Sequence, residues 1–165
     1  VRHCTYMVPH VARFSLRLRQ LPTHSYVPPL YSARSLSQKT MGTRGAQHLV
    51  SALMRNRKLM TLNLSQNATA MRVKGTMYLA LALEENRALT TLDLSQNKIG
   101  DKGAKYLASA LEKNRKLMTL DLSAIRICVQ GARHLSRALE TNTALTTLDL
   151  SQKTMGNQGA EYLAS

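Results

Sequence analysis

The stretch LTTLDLSQNKIGDKGAKYLASALEKNRK, residues 89–116, contains one strand pattern followed by one helix pattern. In its first part Leu92 and Leu94 alternate with polar residues, which is the two-residue period of a strand with one buried face. In its second part GAKYLASAL places apolar residues from Ala104 onwards at i, i+3, i+4 and i+7, the spacing of a helix with one buried stripe. The two apolar faces are therefore expected to share one core.

The same unit recurs along the chain. Residues 117–144 repeat it at the same length, and residues 145–165 repeat its beginning. Residues 59–88 carry two extra residues between strand and helix, where insertions cost least. Residues 31–58 keep the helix pattern but lack the leucines that open the strand, so the strand there is weakly predicted. Since one unit cannot bury both of its faces alone, the copies are predicted to stack with parallel strands.

These motifs resemble the leucine-rich repeat family, in the class of 28-residue units found in ribonuclease inhibitor and in the receptor ends of NOD-like receptors. The resemblance rests on LxxLxLxxN at 59–67 and 89–97 and on LxxLxL at 117–122 and 145–150. It implies an α/β solenoid, a horseshoe arc with a parallel β-sheet on the concave face and helices on the convex face. It also implies that the chain binds proteins or other ligands.

Residues 1–30 lie outside the repeat and contain four prolines and four arginines. We expect a basic tail or an N-terminal cap there, followed by a leucine-rich repeat domain over 31–165. Within the tail, FSLRLRQL alternates apolar and polar residues, so one alternative is a half-buried strand that caps the solenoid. Another is a transit peptide, because the segment is rich in arginine and has no acidic residue. The last copy stops short of a full unit and shows no polar cap, so a longer array is expected.

The charge of the chain is unevenly distributed. The formal net charge is +14, yet residues 1–83 hold 12 of the 23 basic residues and none of the nine acidic ones. A basic excess of this kind raises the alternative of nucleic-acid binding through the N-terminal half, with an affinity that falls steeply with salt. The presence of one Phe and no Trp argues against a stacking platform for single strands.

The compartment is predicted from cysteine usage and hydropathy. Only Cys4 and Cys128 are present, which is unlike a regular extracellular disulfide framework and favours a reducing compartment, the cytoplasm. No run of about 18 apolar residues predicts a membrane span.

Two further positions recur for backbone reasons. A glycine opens each predicted helix, where a Cβ would clash or need an awkward dihedral angle. These glycines are Gly45, Gly75, Gly103, Gly131 and Gly159. An asparagine after the strand, Asn67 or Asn97, is predicted to bond the backbone of its turn. Lys39, Ile125 and Lys153 replace it in the other copies, so those turns are expected to be less well held.

The sequence contains none of four common catalytic or cofactor-binding motifs. The patterns GxxxxGK[ST], GxGxxG, HExxH and CxxC are absent, so we expect no cofactor, no metal and no enzymatic activity. His48 and His134 occupy the same helix position in repeats that are not neighbours, which is too far apart for a dyad or a shared metal. Cys128 has no matched histidine partner, so a packing or loop role is favoured over a nucleophile.

The candidate partner-binding residues are those that face outward from the strands at the same three positions of successive repeats. They are Thr61, Asn63, Ser65, Thr91, Asp93, Ser95, Thr119, Asp121, Ser123, Thr147, Asp149 and Ser151. The middle position ends in three consecutive aspartates, which repel one another across paired strands. Hydroxyl groups of neighbouring Thr and Ser are expected to offset this repulsion. The alternative that carries function is a cationic group from a partner protein.

Basic residues fall on the rims of the predicted horseshoe. Arg57, Lys58, Arg87, Arg115 and Lys116 lie in the turns from helix to strand, and Lys98 and Lys102 lie on the opposite rim. They are either solvated loop charges or edges that flank an acidic strip. The primary hypothesis is a protein-interaction module that binds on its concave face. The Ran GTPase-activating members of the family use the same scaffold, so an activator of a small GTPase is the first alternative, and it would stimulate phosphate release.

Overall fold

The computed structural model describes residues 15–17, 33–38, 42–68, 71–151 and 156–164. After the first strand, short strands and helices alternate, as the two periodicities predict. In chain order the elements are β1 (Ser15–Arg17), β2 (Ala33–Ser35), α1 (Thr43–Arg55), β3 (Thr61–Asn63), α2 (Val73–Glu85), β4 (Thr91–Asp93), α3 (Gly100–Lys113), β5 (Thr119–Asp121), α4 (Val129–Thr141), β6 (Thr147–Asp149) and α5 (Gly156–Ala164).

The strands form one six-stranded sheet in the order β1-β6-β5-β4-β3-β2. Strands β2 to β6 are parallel, and each of β2 to β5 pairs with the strand of the next repeat. Identical repeat positions face each other: Leu62 pairs with Leu92, which pairs with Leu120. The repeat alignment therefore fixes the register of the sheet.

The core lies between the sheet and the helices. The leucine in the middle of each strand from β3 to β6 is at most 1% exposed, and the leucine two residues later is at most 2% exposed. The helices bury small residues and leucines against them, as with Ala104 and Leu107 of α3. Each helix packs on its neighbour in the next repeat, so the repeats share a continuous apolar core.

The first repeat is the least buried. All three residues of β2 are exposed, and Arg34 pairs with Leu62 at the position where the other strands bury a leucine. The strand that the sequence predicts only weakly is present, but it adds no apolar residue to the core.

The repeat pattern predicts a wholly parallel sheet, but one strand of the observed sheet is antiparallel. Strand β1, within FSLRLRQL, pairs antiparallel with β6, and Ser15 stands opposite Asp149. This pairing covers the edge of β6 with backbone hydrogen bonds. The rest of residues 1–30 lie outside the described residues.

The glycines predicted to open the helices lie inside the first turn, since α3 begins at Gly100 and α4 at Val129. At two of them, Gly103 and Gly131, a side chain has no room. A Cβ on Gly131 would lie 2.6 Å from Asp101 Oδ1 and 2.8 Å from the Cβ of Ile127. A Cβ on Gly103 would lie 2.5 Å from the Cγ2 of Ile99. At these positions the prediction of a clash is confirmed.

Candidate functional site

The predicted aspartate column is assembled by the strand register. Asn63 of β3 pairs with Asp93, Asp93 pairs with Asp121, and Asp121 pairs with Asp149. Each of these side chains is partly exposed, because it alternates with buried leucines on the opposite face of the sheet. Three carboxylates therefore stand on three adjacent strands, with an uncharged amide at one end of the row.

The groups that bind these aspartates differ from the prediction. The Oδ1 atom of Asp93 accepts the backbone N–H of Ser95 at 2.9 Å, and Asp121 and Asp149 accept the equivalent serine N–H at 2.8 Å. The expected hydroxyl donors were wrong for all three carboxylates. Within the described part of this row, a serine hydroxyl donates at Asn63, whose Oδ1 accepts from Ser65 Oγ at 2.7 Å and from Ser65 N at 2.9 Å.

The serine N–H is the local donor at the end of each strand, two residues after the aspartate. The residue after the serine adopts a left-handed conformation in three of these turns, with φ of 58° at Gln66, 57° at Gln96 and 56° at Ala124. The chain therefore turns at the strand end, and the carboxylate bonds an amide two residues on, as in an Asx turn. Within the described residues, no hydrogen bond reaches the Oδ2 atom of any of the three aspartates. That oxygen is available to a partner.

The threonine and serine positions differ in accessibility. Thr61, Thr91, Thr119 and Thr147 form a second row in direct register, and all four are partly exposed. Ser65 and Ser95 are buried, at 7% exposure each, whereas Ser123 and Ser151 are partly exposed. The surface that a partner can reach is therefore made mainly by the threonine row and the aspartate column.

The strand-end asparagines form a ladder between repeats. Asn67 Nδ2 donates to the carbonyl oxygens of Leu64 and Ser65 in its own turn, and to Leu36 of the preceding repeat at 2.7 Å. Asn97 donates in the same way and accepts the backbone N–H of Asn67 at 2.8 Å. The predicted bonding of the turn backbone is thus observed at both asparagines.

The ladder ends where the asparagine is replaced. Ile125 is fully buried and brings no side-chain donor or acceptor to its turn. The turns at Lys39 and Lys153, which were also expected to be less well held, lie outside the described residues.

A second asparagine ladder, which the sequence reasoning missed, lies at the ends of the helices. Its members follow helices α1 to α4 and are Asn56, Asn86, Asn114 and Asn142. In each, Oδ1 accepts the backbone N–H of the residues two and three positions on, at 2.7 to 2.9 Å. Asn114 Nδ2 donates to Leu83 and Asn86 of the preceding repeat. The recurrence of asparagine at this position was the available signal.

Comparison with known proteins agrees with this architecture. A family model for the leucine-rich repeat matches residues 85–108, which contain β4 and most of α3, and residues 141–164, which contain β6 and α5. The chain folds as leucine-rich repeats.

Solved structures share the fold. One is described as Leiomodin-1 Actin-Binding Site 2, with a TM-score of 0.69 and 20% identity over 82% of this chain and 80% of that one. Another is the tropomodulin C-terminal domain from Caenorhabditis elegans, with a TM-score of 0.64 and 14% identity over 81% of this chain and 82% of that one. None of the curated proteins matches the sequence. At these identities the similarity establishes the fold.

The charges outside the strand face of this chain are mostly cationic and solvated. Arg57, Lys58, Arg87, Arg115 and Lys116 are all exposed, as are Lys98 and Lys102. Lys113 at the end of α3 forms the one ion pair found within the described residues, at 2.7 Å from Glu84. The hydrogen bond to Glu84, together with the attraction of its charge, raises the pKa of Lys113.

The helical side of the repeats shows no assembled reactive site. A shallow polar groove between α3 and α4 contains His134 beside Arg137 and Glu140, and His48 lies far away on α1. Within the described residues, no group of three or more His, Cys, Asp or Glu side chains is placed to hold a metal ion. Cys128 is partly buried at the start of α4. None of the described helices is long and apolar enough to cross a membrane.

Proposed function

We propose that this leucine-rich repeat protein binds a partner protein on its strand face, and that Asp93, Asp121 and Asp149 contact a cationic segment of that partner. The observation that carries the proposal is the pairing of Asp93 with Asp121 and of Asp121 with Asp149. A row of carboxylates on adjacent strands presents acceptors at the spacing of the sheet, about 4.8 Å. An extended or helical segment rich in Lys or Arg supplies matching donors.

Electrostatics favours a cation at this place. Carboxylates about 5 Å apart repel by about 3 kcal/mol in a surface-like dielectric of about 20, before salt screening. The serine N–H bonds described above stabilise the charges one by one, but they add no positive charge to the row. A docked Lys or Arg offsets the repulsion of two neighbouring aspartates at once, so part of the gain appears only on binding.

The two similar solved structures support a binding role. One of the two is described as an actin-binding site, which makes actin a reasonable first candidate partner for this chain. We also propose that the chain binds without catalysing a reaction, since the candidate face consists of Thr, Asp, Asn and Ser with no assembled nucleophile and base. The scarcity of cysteine favours the cytoplasm as the compartment.

The test replaces the three aspartates by asparagine. Asn63 shows that asparagine keeps the turn, because its Oδ1 accepts the Ser65 N–H at 2.9 Å. We expect the variant Asp93→Asn/Asp121→Asn/Asp149→Asn to remain folded and to bind a fluorescent nona-arginine peptide about tenfold more weakly, as three lost exposed charge pairs imply. Fluorescence anisotropy measures this, and a pull-down with actin extends it to a protein.

A matched control removes three acidic charges elsewhere. Glu85, Glu112 and Glu140 are exposed on the helical side, and their replacement by glutamine changes the net charge by the same amount. We expect the affinity of this control for the peptide to stay within about threefold of that of the unmodified chain, since its carboxylates lie on the helices and not on the strand face where the peptide is proposed to bind. Equal losses in both variants would show a net-charge effect and remove the strand face from consideration.

A further inference from the structure

The second asparagine ladder organises the turns that carry the basic residues. Arg57, Arg87 and Arg115 each follow directly after a ladder asparagine, so they occupy the same position in three consecutive repeats. Lys58 and Lys116 come next in two of those turns. We call these five cations the basic rim. It lies at the edge of the sheet where the strands begin, and it is a different surface from the aspartate column.

The turns of the basic rim share one conformation. Asn56 Oδ1 accepts the N–H of Lys58 at 2.8 Å and of Leu59 at 2.7 Å, and Asn114 Oδ1 accepts from Lys116 and Leu117 at 2.8 Å each. A side-chain amide thus bonds the two backbone N–H groups that follow each arginine.

Adjacent turns of the rim are also joined directly. Asn86 Nδ2 donates to Asn56 O at 3.3 Å, and Asn114 Nδ2 donates to Asn86 O at 3.2 Å. Four residues after each arginine the chain enters paired strands about 4.8 Å apart. The three arginines therefore rise from a rigid, regularly spaced backbone, which reduces the entropy lost when a partner binds.

The charges of the basic rim are not neutralised within the described residues. All five side chains are exposed, and no carboxylate oxygen there lies within 4 Å of any of them, since the ion pair found is that of Lys113 with Glu84. Arg115 Nη1 donates to the carbonyl oxygen of Thr141 at 3.1 Å, which orients the guanidinium but leaves its charge unpaired. Several cations are thus held close together without counter-charges.

We propose that the basic rim binds an acidic peptide segment, one with several Asp or Glu residues in an extended conformation. Such a segment can direct a carboxylate to each arginine and form two-pronged hydrogen bonds with its guanidinium group.

A nucleic acid fits this surface less well. The rim turns contain no aromatic residue on which a base stacks. The aspartate column begins on the same strands, with Asp121 only six residues after Arg115, and it repels a continuous row of phosphates. A peptide can place its carboxylates at the arginines alone.

The experiment uses the full chain with two labelled probes: a peptide of ten glutamates and an oligouridine of similar charge. In the rim variant, Arg57→Gln/Arg87→Gln/Arg115→Gln, each side chain stays long and polar but loses its charge. In the control, Lys98→Gln/Lys102→Gln/Lys105→Gln, three exposed cations are removed from another part of the surface. Circular dichroism melting establishes that each variant is folded.

We expect the unmodified chain to bind the glutamate peptide more tightly than the oligouridine, and the rim variant to lose about tenfold or more in peptide affinity. The control and the triple aspartate-to-asparagine variant are expected to keep their affinity for the glutamate peptide within about threefold. A failure of the basic-rim proposal is therefore distinguishable from a failure of the proposal for the aspartate column. Equal losses in rim variant and control overturn the proposal, as does an unchanged rim variant. Tighter, rim-dependent binding of the oligouridine also overturns it and assigns the surface to nucleic acid.

Discussion

The side-chain carbonyl oxygen of Asn97 accepts the backbone N–H of Asn67 at 2.8 Å, although 30 residues separate them in sequence. Each of these asparagines is only 1% exposed. One repeat thus completes the hydrogen bonds of the turn in the repeat before it, and stacking is specified by polar contacts as well as by leucines.

Removing this contact should destabilise the chain strongly. Asn97→Ala leaves the Asn67 N–H without an acceptor and removes the donor to the carbonyl oxygens of Leu64, Leu94 and Ser95. Because these groups are buried, we expect the free energy of unfolding to fall by about 3 kcal/mol. Urea unfolding followed by circular dichroism measures the change. Asn157→Ala, at an exposed position of α5, is the control and should stay within about 0.5 kcal/mol. Equal midpoints for the two variants would contradict the buried ladder.

Much of the fold follows from two periods in the sequence. The alternation around Leu92 and the helix stripe from Ala104 onwards predict β4 and α3, and copying the unit predicts the neighbouring strands and helices. Register needs no further information, since stacked copies place Asp93 beside Asp121. The aspartate column was therefore predictable before any coordinates.

Contacts between repeats were harder to predict. Asn114 at the end of α3 looks like an ordinary helix-terminal residue, and its donation to Leu83 O depends on how closely the helices stack. The donor to Asp93 was also misjudged, because the carboxylate closes a turn with the backbone N–H of Ser95 two residues on and does not bond the neighbouring hydroxyls. The antiparallel strand β1 is outside the repeat pattern, so the repeat gave no signal for its pairing with β6.

Gly131 is the glycine whose replacement should cost most. A methyl group there would press on Asp101 Oδ1, which accepts the N–H groups of Cys128 and Gly131 at the start of α4. We expect Gly131→Ala to lower the free energy of unfolding by about 1 to 3 kcal/mol, the usual cost of overpacking. Gly42→Ala is the matched control, because nothing lies within 4 Å of its Cβ and its φ is −79°. We expect it to change stability by less than about 0.5 kcal/mol. If Gly131→Ala were equally harmless, α4 would have to enter the repeat by a different path.

Replacing Ala124 by glycine is expected to stabilise the chain. Ala124 is exposed and has a φ of 56°, which costs an alanine about 1 to 2 kcal/mol and a glycine almost nothing. Glycine also has more freedom to lose on folding, so we expect Ala124→Gly to raise the free energy of unfolding by about 0.5 kcal/mol. Ala52→Gly, the same substitution at an exposed position inside α1, should lower it by about 1 kcal/mol. If urea unfolding shows a higher free energy of unfolding for Ala124→Gly and a lower one for Ala52→Gly, the left-handed turn after β5 is supported. A comparable loss of stability in both would mean that Ala124 does not adopt this left-handed conformation.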